Sequence, residues 1–226
     1  MLPLQIRSSV DGCSTASTST VCVASINSTR FSGKAASAPY TVEMPPEEEG
    51  KVATIPHEAA LHKLLRGHYA FPCIFWSGID GGAHVMIMER LGATLEQLRR
   101  FCRGRFSLKT VCMLAEQMIT SIEFAHSHGI IIRDIKPENF AMGIGQCADV
   151  VYLFDVGLGK LYIDPTTGLH KPFREGRVGV GTPRYSSPNV HAEKEQGRRD
   201  DIISLGHSLL YLLQGGFLGR EFMRRA

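Results

Sequence analysis

Apolar residues along the 226-residue chain change period several times, and each change marks an expected element. In HEAALHKLLRG (His57–Gly67), Leu61, Leu64 and Leu65 share one helical face. SLKTVCMLAEQMITSIEFAHSHG (Ser107–Gly129) again carries apolar residues at helical spacing, with Ser107 as N-cap and Gly129 as stop. Asp201–Leu213 reads as a third, buried helix. FPCIFWSGID and GGAHVMIMERLG, residues 71–92, predict two strands joined by a turn, then a connector and a helix start in TLEQLRRFC. Two short apolar runs, Ile130–Ile132 and Val150–Phe154, each lead into polar residues: Asp134, Lys136 and Asn139 after the first, Asp155 after the second.

The spacing of those four polar residues carries the chemistry. RDIKPEN followed by a DxG resembles the catalytic and metal-binding loops of eukaryotic protein kinases, HRDxKxxN and DFG, with Ile132 where His is usual and Val156 where Phe is usual. Phosphoryl transfer needs positioning and charge neutralisation more than covalent help, which is why acid, amine and amide recur at fixed offsets. The resemblance implies that Asp134 orients and deprotonates the attacking hydroxyl and that Lys136 steadies the phosphate. It implies that Asn139 and Asp155 hold Mg2+ against the oxygens of ATP. Each taken singly is an ordinary solvated loop side chain. Ile132 and Val156 remove no group that acts directly; as apolar residues they are expected to pack in the internal column, Val156 at a cost of roughly 1 to 3 kcal/mol for its smaller volume.

The same resemblance makes Glu58 the helix glutamate that pairs with a nucleotide-holding lysine, expected about 14 residues upstream. Met44 stands there, and Lys34 and Lys51 are the nearest alternatives. Thr20–Ser25 has strand composition, and Gly12 is the single glycine where a phosphate loop would lie; Cys13, Ser14 and Thr15 forfeit most of the backbone access such a loop needs. By composition alone the Ser/Thr-dense Ser8–Ser37 reads as linker, so residues 1–40 are either a leader or the degenerate front of a small lobe. Met88 would guard the back of the nucleotide pocket, with plain core packing as its other reading. Glu89 and Leu91 would offer backbone groups to the adenine edge.

Composition narrows the setting. A formal charge of +3 is too mild to argue for nucleic acid, and no run of about 18 apolar residues spans a membrane. Six Cys without CxxC or zinc-like His spacing read as reduced thiols, and His126 and His128 as surface or structural residues and not ligands, so the expected compartment is the cytoplasm and/or nucleus.

Longer blocks narrow the family. LGATLEQL, EFAHSHG, RDIKPENFAMGIG, REGRVGVGTPRYSSPNVH and QGRRDDIISLGHSLLYLL resemble the casein kinase I family of Ser/Thr kinases, with NFAMG similar to its tau-tubulin kinase relatives. The resemblance covers Ile55 to about Gln214. It implies a two-lobed α+β fold: remaining small lobe and hinge over 41–91, large lobe over 92–214. It implies protein substrates with acidic or phosphorylated context, Arg184 contacting that anion unless it serves a structural ion pair, and Asp201 as a buried anchor for the catalytic loop. Residues 215–226 depart from the family; one choice of their codons, read two bases along, gives a family-like Leu-Pro-Trp-Gln-Gly run, which predicts a frameshift after Gln214, against a natural short basic tail. The expected function is ATP-dependent phosphorylation of protein Ser/Thr. The alternatives are an impaired pseudokinase that serves as a binding module and a truncated remnant, and for this polypeptide little activity and poor solubility are expected, the outer face of the last helix being uncovered.

Overall fold

The computed structural model describes residues 55–174, 176 and 179–216. Gly12, Thr20–Ser25, Lys34, Met44, Lys51 and the tail beyond residue 216 lie outside the described residues.

Chain order among the described residues is α1 (Ile55–Leu64), β1 (Ile74–Asp80), β2 (Ala83–Met88), α2 (Leu95–Phe101), α3 (Leu108–Ser127), β3 (Ile130–Ile131), β4 (Phe140–Met142), β5 (Val151–Leu153), β6 (Lys160–Leu161), α4 (Pro188–His191) and α5 (Arg198–Gln214). The fold is mixed α+β, with a small strand-containing part followed by a helical part. Strands pair antiparallel as β1–β2, β3–β6 and β4–β5. The β1–β2 register closes on Asp80 opposite Ala83. That leaves a two-residue loop, Gly81 and Gly82, both at positive φ (57° and 82°), which side chains would strain.

Local signals account for the helix ends. Thr94 caps α2 in a reciprocal capping box with Gln97, and Ser107 caps α3 through the N–H of Thr110. Gly129, at φ 76°, ends the α3 region and turns the chain into β3.

Two apolar clusters divide the molecule. The smaller joins Ile55 and Ala59 of α1 to Met86 and Met88 of β2. The larger runs from Leu61 and Leu65 through Met118 and Ile122 of α3 to Leu205 and Leu212 of α5. Burying a side chain of this size contributes about 2 kcal/mol, so these helices are held by their inward stripes and not by propensity. Ile132 and Val156 are both fully buried in the larger cluster, as apolar replacements at those positions should be. On the outer face of α5, Ile202 and Leu210 are about half exposed.

Candidate active site

The first site element is the loop between β3 and β4. Its path is set from below by Asp201 of α5, whose side chain is almost wholly buried. Oδ2 accepts from the backbone N–H of Ile132 at 2.8 Å and from His126 Nε2 at 2.8 Å, while Oδ1 accepts from the N–H of Arg133 at 2.8 Å. These bonds secure Arg133 in a left-handed conformation, φ 70°, that costs a non-glycine residue of order 1 kcal/mol or more. Arg133 also donates from Nε to the Leu158 carbonyl at 2.6 Å, tying this loop to the one that follows Asp155.

Asp134 therefore emerges from a backbone with little freedom, and both its oxygens are engaged. Oδ1 accepts from the N–H and the hydroxyl of Thr182, each at 2.8 Å. Oδ2 accepts from Lys136 Nζ at 2.6 Å and Asn139 Nδ2 at 3.3 Å; the same amide also donates to the Asp134 carbonyl. Lys136 reaches Thr182 Oγ1 as well, at 3.1 Å. The close approach of Thr182 depends on Gly181: its φ is 105°, and a Cβ there would collide with the Arg133 carbonyl.

Asp155 enters from β5. Its Oδ1 accepts from the N–H of Gly157 at 3.2 Å, a one-residue turn that DxG permits. Burial pushes its carboxyl above the ordinary range; the Gly157 N–H pulls it down, Asp134 pushes it up again and Lys136 opposes that. Glu58, on α1, lies on the other side: burial, then the charge of Asp155, raise its pKa from 4.5 to about 7, against a hydrogen bond from the Val156 N–H. His62, one turn along α1, lies 3.9 Å from the Glu58 carboxylate.

Asn139 and Asp155 offer an amide and a carboxylate, the hard oxygen chemistry that Mg2+ selects. The charge of Asp134 acts on Asp155 and that of Asp155 on Glu58, a distribution that a divalent cation would relieve. Among the described residues no group of three or more His, Cys, Asp or Glu side chains chelates an ion unaided. The donor set thus fits a magnesium ion completed by phosphate oxygens and water.

A protein-family model described as Protein kinase domain matches residues 29–221. The chain belongs to the protein kinase family.

Kinases of this family act on protein substrates with ATP and Mg2+, and the residues expected for the nucleotide side can be located on that frame. Met88 is buried in the smaller cluster at the end of β2. The Glu89 N–H donates to the Cys73 carbonyl at 2.8 Å, so of its two backbone groups the carbonyl is the candidate for an adenine edge; Leu91 follows in the connector, half-buried. The Gly92 N–H and the Ala93 carbonyl bond to Met142 of β4, which fixes the connector against the catalytic side. Arg184 is exposed, two residues beyond Thr182. No helix among the described residues is long and apolar enough to cross a membrane.

Sequence reasoning assigned no role to Thr182, the residue that contacts Asp134 twice. Its signal was only the preceding glycine in GTPRY. Asp200 was also passed over. Its carboxylate accepts from Ser187 Oγ at 2.6 Å, Asn189 Nδ2 at 3.2 Å and the Gly197 N–H at 2.8 Å, and so ties α4 to the start of α5. Of the two readings of His126, surface or structural, the structure supports the second: its partner Asp201 lies 75 residues away and has no signal in the local sequence.

Proposed function

We propose that the chain is a casein kinase I-like Ser/Thr protein kinase domain that transfers the γ-phosphoryl of ATP to a protein hydroxyl. The observation that carries this reading is the Asp134 carboxylate, oriented by Thr182 on one oxygen and by Lys136 and Asn139 on the other. Bound ATP would supply the phosphoryl group and Mg2+ the charge neutralisation, with Asn139 and Asp155 as the protein's ligands. Asp134 would align a Ser or Thr hydroxyl and take its proton as the oxygen attacks. Lys136, 2.6 Å from Asp134, would stabilise negative charge on the transferring group. The subfamily rests on GTPRYSSPN and QGRRDDIISLG. Preference for an acidic or phosphorylated neighbour rests on Arg184, an exposed residue two positions beyond Thr182. Four exposed free thiols, Cys73, Cys102, Cys112 and Cys147, support a cytoplasmic and/or nuclear setting.

A second reading, a pseudokinase used as a binding module, has its own support. Met44 occupies the expected lysine position, and the described charged neighbour that acts most on Glu58 is the like-charged Asp155. Two measurements on the full chain separate the readings. Millimolar Mg2+–ATP should raise the melting temperature if a nucleotide site operates. Phosphate transfer to an acidic Ser/Thr peptide should fall at least about 100-fold in Asp134→Asn, the scale of a lost general base. No nucleotide shift and no transfer by the wild type favour the module; transfer that survives D134N refutes the assignment of Asp134.

A further inference from the structure

Asp155 is bracketed by α1. The residue after it, Val156, gives its N–H to Glu58, and the residue before it, Phe154, gives its carbonyl to His62, whose Nε2 lies 2.9 Å away. A carbonyl only accepts, so Nε2 is the protonated ring nitrogen and Nδ1 carries a lone pair; that Nδ1 is buried with no hydrogen-bond partner. The His62 side chain is 0% exposed. An imidazole in such a place leaves one polar atom unmatched, a cost that an apolar side chain would not incur. What the ring gains is the single bond to Phe154. On its other side, the Phe154 N–H donates to the Asn139 carbonyl at 3.2 Å. Two successive peptide units of one residue thus link Asn139, through the Phe154 N–H, and His62, through the Phe154 carbonyl, joining the two candidate metal ligands to α1.

We infer that His62 is a positioning residue for the magnesium pair: its Nε2–H holds the Phe154 carbonyl and thereby fixes the peptide that aims the Asp155 carboxylate relative to Asn139. This rests on the reading of Asn139 and Asp155 as metal ligands. It makes the placement of α1 part of the metal geometry. Displacing the helix would rotate the Phe154–Asp155 peptide. The ring acts through backbone and touches no reacting atom.

The test compares His62→Leu, which fills similar volume without a donor, with His62→Gln, whose amide nitrogen sits near the position of Nε2, in the full-length chain. Hydrogen exchange over residues 153–159 should accelerate about tenfold or more in H62L relative to the α3 core, and return to within about threefold of wild type in H62Q. Should H62L fail to fold, His62→Asn, whose amide stops short of the carbonyl, takes its place with the same expectation. Equal exchange in the donor-bearing and donorless variants overturns the inference, and the ring is then only core filling. Mn2+ affinity in the presence of a non-hydrolysable ATP analogue, read by water proton relaxation, is the second readout. H62L should weaken it several-fold and H62Q should not. If Asp155→Asn leaves Mn2+ affinity unchanged, the metal reading itself fails, while the exchange result still decides the His62 clamp. If D155N abolishes Mn2+ binding and H62L leaves it unaltered, the positioning role is refuted.

Discussion

Glu58 and His62 sit one turn apart on α1, and burial shifts them in opposite senses; replacing either should uncover the pH dependence of the other. Burial and the charge of Asp155 raise Glu58 from 4.5 to about 7. Its folded pKa exceeds its unfolded one, so its favourable contribution is complete below pH 4.5 and is lost as pH rises through 7. Burial lowers His62 from 6.5 to about 4, against the Phe154 carbonyl. Its folded pKa is below its unfolded one, so its contribution is present above pH 6.5 and lost as pH falls through 4. Each change is worth about 3 kcal/mol at roughly 1.4 kcal/mol per factor of ten in proton affinity. In the wild type the two slopes oppose each other between about pH 4.5 and 6.5 and largely offset. Glu58→Gln removes the falling limb, so its unfolding free energy should climb by about 2 to 3 kcal/mol from pH 4.5 to 6.5. It should also exceed the wild type at pH 8, where the carboxylate is otherwise buried and charged. The assay is urea denaturation at half-unit pH steps, which reads free energy directly if the m-value stays constant. A flat E58Q profile across that range would refute the account of His62. A variant less stable than wild type at pH 8 would mean that a cation stabilises the Glu58 carboxylate in the folded state.

Gly181→Ala should cost about 1 to 3 kcal/mol, because φ 105° is strained for alanine and the new methyl meets the Arg133 carbonyl. It should also loosen the Thr182 amide, measured by hydrogen exchange; unaltered protection would show that the close approach is dispensable. Asp201→Asn should lose about 3 kcal/mol in denaturant titration, since the amide cannot accept from Ile132, Arg133 and His126 together; a loss under 1 kcal/mol would refute its anchoring of the loop. With Ile202 and Leu210 half exposed on α5, the protein should elute as associated species in size exclusion. A soluble monomer with one cooperative melt would show that this face is covered or tolerated.

The sequence by itself determined the longer elements, because their signals are local. Leucine spacing marked α1, Ser107 and Gly129 marked the ends of α3, and paired apolar runs around Gly81–Gly82 marked the β1–β2 hairpin. It also singled out the candidate side chains, since RDIKPEN and DVG place acid, amine and amide within one loop and the next. Tertiary structure decided everything that joins residues far apart in the chain. Thr182 reaches Asp134 across 48 residues, Asp201 reaches Arg133 across 68, and His62 reaches Phe154 across 92. Such contacts leave no periodic trace, because a hydrogen bond constrains two positions and not the spacing between them. The charge state of the site was equally hidden. Glu58 and Asp155 are ordinary carboxylates as letters, and only their shared burial raises the cost of keeping both ionised.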